Sequence, residues 1–183
     1  MKKQLLKLLL LGFITIPMFA FSQGKTKSES DSIVFVNQVN SLNELFAKFK
    51  GKVVYVDFWA SWCVSCIEEL KHNEQLDNFM KENDVVRLYI ALEKREKDEA
   101  SQQKSIEKWR ENVFKYNLSG YNYYVQLRSD FSTGIVEKIM KGKLSLPRFA
   151  IVNKNGAIVD RNATKPSKPE KLINQLKRYI KEN

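Results

Sequence analysis

Cys63 and Cys66 are the two cysteines of a 183-residue chain, and they stand three residues apart in Trp62-Cys63-Val64-Ser65-Cys66. An apolar run ending at Ala60 precedes them and a helical pattern follows, so the pair sits where a strand gives way to a helix. A bridge at this spacing would add little stability, because even a ~15-residue loop is worth only about 3 kcal/mol in the entropy model. Reactivity is the better account. At the first turn of a helix, Cys63 lies by free backbone N–H groups and the positive dipole end, which favour thiolate over thiol. Cys66, one turn deeper, is placed to resolve a mixed disulfide. Two cysteines at this spacing are also half of a structural zinc site, but His72 is the only histidine and there is no second cysteine pair. A closed tetrahedral site within one chain would therefore need carboxylates. A copper carrier is a further non-enzymatic reading, since two thiolates hold a soft metal ion. His72 itself, amid polar neighbours, is expected to be an exposed helix residue.

The elements that must position the pair follow from periodicity. Ile33 to Val39 has the pattern of a strand. Ser41 and Glu44 form a capping box opening a helix through Leu42, Leu45, Phe46 and Phe49, ended by Gly51. Val53 to Ala60 is an apolar run of the kind covered on both sheet faces, with Asp57 its one polar interruption. One helix is expected from near Cys63 to about Glu82, then a buried strand from Val85 to Leu92. Glu93 to Lys104 is a dense mixed-charge segment, expected to be a solvated loop or helix start. Ile106, Trp109, Val113 and Tyr116 recur at helical spacing, and Tyr121 to Leu127 is an aromatic-rich strand. Asp130 is expected to cap a helix closed by Gly142. Arg148 to Val152 and Ala157 to Asp160 flank a four-residue hairpin connection, Asn153 to Gly156, and Ser167 with Glu170 forms a second capping box before the last helix. The order β-α-β-α-β-α-β-α-β-β-α predicts an α/β sandwich around a mixed sheet.

The chain's ends and composition bound the setting. Lys2, Lys3 and Lys7 precede an apolar stretch, Leu8 to Phe21, and small residues Ala20 and Ser22 mark a cleavage point. Residues 1–22 are thus expected to be a signal peptide, 23–32 a flexible spacer and 33–183 one domain. The apolar run is shorter than the roughly 20 residues of a spanning helix, and Pro17 interrupts it, so no stable membrane span is expected after cleavage. The mature chain would work outside the cytoplasm, secreted or periplasmic, where thiols tend to oxidise. With 43% hydrophobic residues, seven glycines and four prolines, collagen-like and low-complexity classes are excluded. The formal charge of +10 falls to +7 without the leader. No nucleic-acid motif accompanies it, and lysines spread along the chain suit solubility.

Val56-Asp57-Phe58-Trp59-Ala60-Ser61-Trp62-Cys63-Val64-Ser65-Cys66 resembles the active-site strand and turn of thioredoxin, and Leu146-Pro147 before the next strand resembles that family's cis-proline loop. The leader, and a helix-strand insertion at roughly Ser105 to Leu127, are similar to the extracytoplasmic TlpA/ResA-like branch. The resemblance implies a thioredoxin-like α/β/α sandwich and a thiol-disulfide oxidoreductase without a cofactor, cycling Cys63-Cys66 between dithiol and disulfide. It implies that Trp62, Leu146 and Pro147 touch substrate and that Asp57, buried behind Cys66, exchanges a proton with it. Glu69, three residues past Cys66, matches an acidic residue of that branch and is expected to share the proton handling. Protein thiols or disulfides are the implied substrates and a membrane protein the implied electron donor, with reductase the leading direction and oxidase or isomerase the alternatives; a non-catalytic binding module is the reading outside enzymes. Three residues depart from the pattern. Val64-Ser65 is none of the familiar dipeptides, Lys71 stands where relatives have a helix-kinking proline, and Arg148 follows Pro147 where a smaller or apolar residue is common.

Overall fold

In the central strands, side chains alternate between two covered faces, and this parity decides what lies beneath the cysteine turn. The computed structural model describes residues 32–181. The signal peptide expected over 1–22, and all of the expected spacer except Ser32, lie outside the described residues. The strands are β1 (Ile33–Phe35), β2 (Val54–Trp59), β3 (Val86–Glu93), β4 (Gly120–Gln126), β5 (Arg148–Val152) and β6 (Ile158–Asp160). The helices are α1 (Leu42–Ala47), α2 (Val64–Leu70), α3 (Asp77–Glu82), α4 (Glu99–Lys115), α5 (Asp130–Lys138) and α6 (Pro169–Lys181). One sheet has the order β1-β4-β3-β2-β5-β6. β1, β4, β3 and β2 run parallel, and β5 and β6 are antiparallel additions. This is the expected mixed sheet, with α4 and β4 as the helix-strand insertion.

Every residue of β2 and β3 is buried. Val54, Val56 and Phe58 join Leu88, Ile90 and Leu92 in one apolar core with Leu45, Phe46, Ile135 and Ile139 of the α1 and α5 side. The opposite face carries Trp59, Tyr89 and Ala91, packed with Cys63, Cys66, Leu70, Trp109 and Val113. Strand parity puts Asp57, Arg87, Glu93 and Asn122 on this second face. Asp57 is in register with Tyr89, and Tyr89 with Asn122. A polar row therefore runs beneath α2 and α4.

The structure corrects several sequence expectations. The single helix expected from Cys63 to Glu82 is broken into α2, a 3-10 turn over Asn73–Leu76, and α3. Arg87 supplies the reason. Its guanidinium donates to the Asn73 carbonyl at 2.9 Å and pairs with Asp77, taking the acceptor that an unbroken helix would offer to the Asp77 N–H. That N–H turns to Glu74 instead. α2 itself ends at Lys71 without proline, its last turn closed by the His72 N–H on the Glu69 carbonyl at 3.0 Å. β1 stops at Phe35, four residues short of the expected end, because after Val36 donates to Asn122 the chain leaves the β4 ladder. α5 is capped by Ser129, whose Oγ accepts the Ser132 N–H at 3.2 Å, with Asp130 inside the first turn. The Ser41 cap forms as expected, and Glu44 reaches back to the Asn40 N–H at 2.8 Å. The box expected at Ser167 does not form, since Ser167 gives its hydroxyl and N–H to Glu69.

Gly120 is required where it stands. At φ +124°, a Cβ there would come within 2.7 Å of the Arg87 carbonyl oxygen, so only glycine lets β4 close on β3 at this point.

Candidate active site

β2 leaves the sheet after Trp59, and the turn that follows is tied by backbone bonds. The Cys63 N–H donates to the Ala60 carbonyl at 3.1 Å. Cys63 is the N-cap of α2, in extended conformation, and its carbonyl accepts the Ile67 N–H at 3.1 Å. Its Sγ accepts the Cys66 N–H at 3.2 Å, and Ser65 Oγ stands 3.5 Å away. A sulfur at an N-cap lies among first-turn N–H donors, and here it shares the Cys66 N–H with the Cys63 carbonyl, 3.1 Å away. Those donors favour negative charge on Cys63 once the pair is reduced. Here the two sulfurs are bonded at 2.08 Å. Cys63 is 8% exposed and Cys66 1%, so an incoming sulfur reaches Cys63 first.

The rim around the pair is apolar. Trp62 and Val64 are exposed, as is Leu144 on the approach to Pro147. Leu146 packs against the cluster that holds both cysteines. The Leu146-Pro147 bond is cis, and Arg148 pairs with Phe58 of β2, which brings this loop to the sheet end where the cysteines lie. The structure thus gathers Trp62, Cys63, Cys66, Leu146 and Pro147 together. Arg148 Nη1 donates to Asn162 at 2.9 Å.

Asp57 lies under this turn, 2% exposed, with Oδ2 meeting no donor among the described residues. A carboxylate kept to satisfy neighbouring donors would have its oxygens engaged. Burial raises its pKa well above the ordinary carboxylate value, the charge of Glu69 adds to this, and Arg87 opposes it. Tyr89, beside it in register, is pushed up to about 12 by burial, against the pull of Arg87. Tyr55, raised by burial and then by Asp57, donates its hydroxyl to the Thr164 carbonyl at 2.8 Å.

Glu69 is buried on α2 and held by three donors: Lys165 Nζ at 2.6 Å, the Ser167 N–H at 3.0 Å and the Ser167 hydroxyl at 3.0 Å. Burial alone would raise its pKa, but the bonds from Lys165 and Ser167 outweigh it and hold the group below its usual value. It is thus a standing negative charge near Asp57. His72 is half-buried rather than exposed, at the N-cap position of the 3-10 turn without a side-chain capping bond, its Nδ1 paired to Gln75 Nε2 at 3.2 Å. Among the described residues, no group of three or more His, Cys, Asp or Glu could hold a metal ion.

Glu93 was hidden from sequence reasoning by its neighbours. Placed by composition at the start of a solvated charged segment, it is instead the last residue of β3 and 4% exposed. Its Oε1 accepts the Ser61 N–H at 2.7 Å. The available signal was parity, since Glu93 continues the alternation of Tyr89 and Ala91 one step past the apolar run.

A protein-family model described as Redoxin matches residues 25–176. The chain belongs to the Redoxin family. It is 27% identical over 133 residues to the thiol-disulfide oxidoreductase ResA of Bacillus thuringiensis, a match covering 73% of this chain and 64% of that protein, so it spans less than two thirds of ResA. An uncharacterized protein of Haemophilus influenzae is 26% identical over 151 residues, 75% of this chain and 95% of its own length. The thioredoxin domain of a thiol-disulfide oxidoreductase from Bacteroides vulgatus superposes with a TM-score of 0.53, at 22% identity, over 73% of this chain and 83% of that one. That likeness shows the thioredoxin-like fold. With its family, its ResA relatives and its bonded Cys63-Cys66 pair, this Redoxin-family chain is a thiol-disulfide oxidoreductase.

Proposed function

We propose that the protein reduces protein disulfides outside the cytoplasm. The observation that carries this reading is the placement of Cys63, whose sulfur receives the Cys66 N–H at the head of α2 while Cys66 is sealed beneath. Cys63 thiolate attacks one sulfur of a substrate disulfide, and the first substrate sulfur leaves as a thiolate that takes a proton from water. Asp57 carboxylate takes the proton of Cys66, whose thiolate then attacks Cys63 Sγ. The second substrate sulfur departs as a thiolate, Asp57 gives up the proton it took, and the protein keeps the Cys63-Cys66 disulfide. Two electrons pass to the substrate, and a dithiol donor, held in the membrane on this reading, restores the pair. Trp62, Leu146 and Pro147 supply the apolar rim against which a substrate backbone lies beside the sulfurs.

The basic, then apolar, then small-residue order of residues 1–22 supports export. Among the described residues, no helix is long and apolar enough to cross a membrane. The test is catalytic reduction of insulin by dithiothreitol in the presence of the protein. Wild type is expected to accelerate it and Cys63→Ser to abolish the acceleration; an inactive wild type would leave a binding module or copper carrier as the better reading.

A further inference from the structure

β3 outruns β2 by two residues, and the side chain at its tip takes over where the strand ladder stops. The last β2–β3 pair is Trp59 with Ala91, whereas β3 continues beside β4 through Glu93, opposite Gln126. Beyond Trp59 the β2 chain has turned away, and the Ser61 N–H finds the Glu93 carboxylate at 2.7 Å. The next residue of β3's exit, Lys94, places its ammonium 5.9 Å from the Trp62 ring centroid. Glu93 and Lys94 thus grip two consecutive residues of the turn that ends at Cys63, one by backbone and one by ring.

We infer that Glu93 is a positioning residue for disulfide exchange: it fixes the Ser61-Trp62-Cys63 turn in place of the missing ladder, and its negative charge restrains thiolate formation at Cys63. A buried carboxylate costs free energy unless paired, and among the described residues no cation is bonded to this one; its partner is the Ser61 N–H, which a neutral acceptor would satisfy equally well. A structural role alone would not require the charge. The groups bearing on Glu93 are few. Burial raises its pKa, the Ser61 bonds lower it, Glu96 raises it and Lys94 lowers it. From β4, Tyr124 faces it with its hydroxyl bonded to Ser105 and its own pKa raised by burial. Among the described residues the one cation bearing on it is exposed Lys94, so an ionised Glu93 would act on the turn with little compensation.

The inference rests on the disulfide-exchange reading, and three variants separate the two. Glu93→Gln keeps an oxygen to accept the Ser61 N–H and removes the charge. Glu93→Ala removes both, and Glu93→Asp keeps the charge but shortens the reach. The readout is the pH dependence of iodoacetamide alkylation of the reduced protein, which reports Cys63 because Cys66 is 1% exposed, followed alongside Trp62-sensitive fluorescence. Glu93→Gln is expected to lower the alkylation midpoint by at least about half a pH unit, a threefold gain in thiolate at pH below it, with unchanged fluorescence. Glu93→Ala and Glu93→Asp are expected to change the fluorescence. A Glu93→Gln midpoint equal to wild type overturns the electrostatic role even if Glu93→Ala does not fold. Unchanged fluorescence in folded Glu93→Ala overturns the positioning role. If wild type reduces insulin and these variants match it in every readout, the inference fails while the proposed function stands.

Discussion

Lys165 Nζ stands 2.6 Å from Glu69 Oε1, joining α2 to the loop before α6 across 96 residues of sequence. Glu69 was expected to handle a proton. Its three donors hold its pKa below the usual carboxylate value, and its charge helps to raise the pKa of Asp57.

The clamp should appear in stability. Glu69 has its pKa lowered on folding, so its contribution is full above the unfolded value of about 4.3 and is lost as pH falls through the lower folded value. Glu69→Gln is expected to cost about 1–3 kcal/mol at pH 7, since Lys165 and both Ser167 donors lose a charged acceptor. Lys165→Met should cost less, about 1 kcal/mol or under, because Lys165 is half exposed and screened. Urea titrations at pH 7 and pH 3 check this, and a cost that persists unchanged at pH 3 would contradict the ionised clamp.

Asp57 has the reverse linkage. Its folded pKa lies well above its unfolded one, so the native state binds the extra proton and stability falls as pH rises from about 3.9 through the folded value. Asp57→Asn, a neutral stand-in, is therefore expected to be more stable than wild type at neutral pH, with a gap that opens above about pH 4. Turnover should slow most near neutral pH, where the carboxylate would take the Cys66 proton. Denaturation and insulin-reduction profiles from pH 4 to 8 test both; a gap independent of pH would remove Asp57 from proton exchange.

The unequal burial of the two sulfurs divides their labour. Cys66→Ser should leave Cys63 able to attack and accumulate mixed disulfides, because the resolving step is lost. Cys63→Ser should trap nothing, its remaining sulfur being sealed at 1% exposure. Non-reducing gels of the variants mixed with a disulfide-bonded substrate give the answer, and adducts on Cys66 in Cys63→Ser would reverse the assignment.

How far the sequence discloses these parts depends on the range of the forces involved. The cysteine turn and the buried strands are local, set by an apolar run broken by Asp57 and by the three-residue spacing of Cys63 and Cys66, and both were legible. The break between Asn73 and Asp77 was not, because it involves a guanidinium 14 residues from Asn73, on β3, that takes the Asn73 carbonyl. Ser167 satisfies the local rule for a cap, yet Glu69, 98 residues distant, offers its hydroxyl and N–H a charged acceptor. Glu93 was masked by the charged residues after it, although its parity with Tyr89 and Ala91 marks it as inward-facing. Roles decided by tertiary partners leave little trace in local pattern.

The direction of electron flow turns on how far the reduced pair is stabilised. At Cys63, the Cys66 N–H and the head of α2 favour thiolate, which stabilises the dithiol form and raises the potential. At Cys66 the environment works the other way. Its sulfur is sealed from water, and burial disfavours its thiolate. On the inference drawn above, an ionised Glu93 at the Ser61 turn would also oppose charge on Cys63. One sulfur is assisted and the other is not, so the potential is expected nearer thioredoxin's, about −270 mV, than DsbA's, about −120 mV. Glutathione or dithiothreitol titration of the pair measures it directly. A value above about −180 mV, near that of protein disulfide isomerase, would turn the proposed reductase into an oxidase or isomerase while leaving the roles of Cys63 and Cys66 in the exchange as they stand.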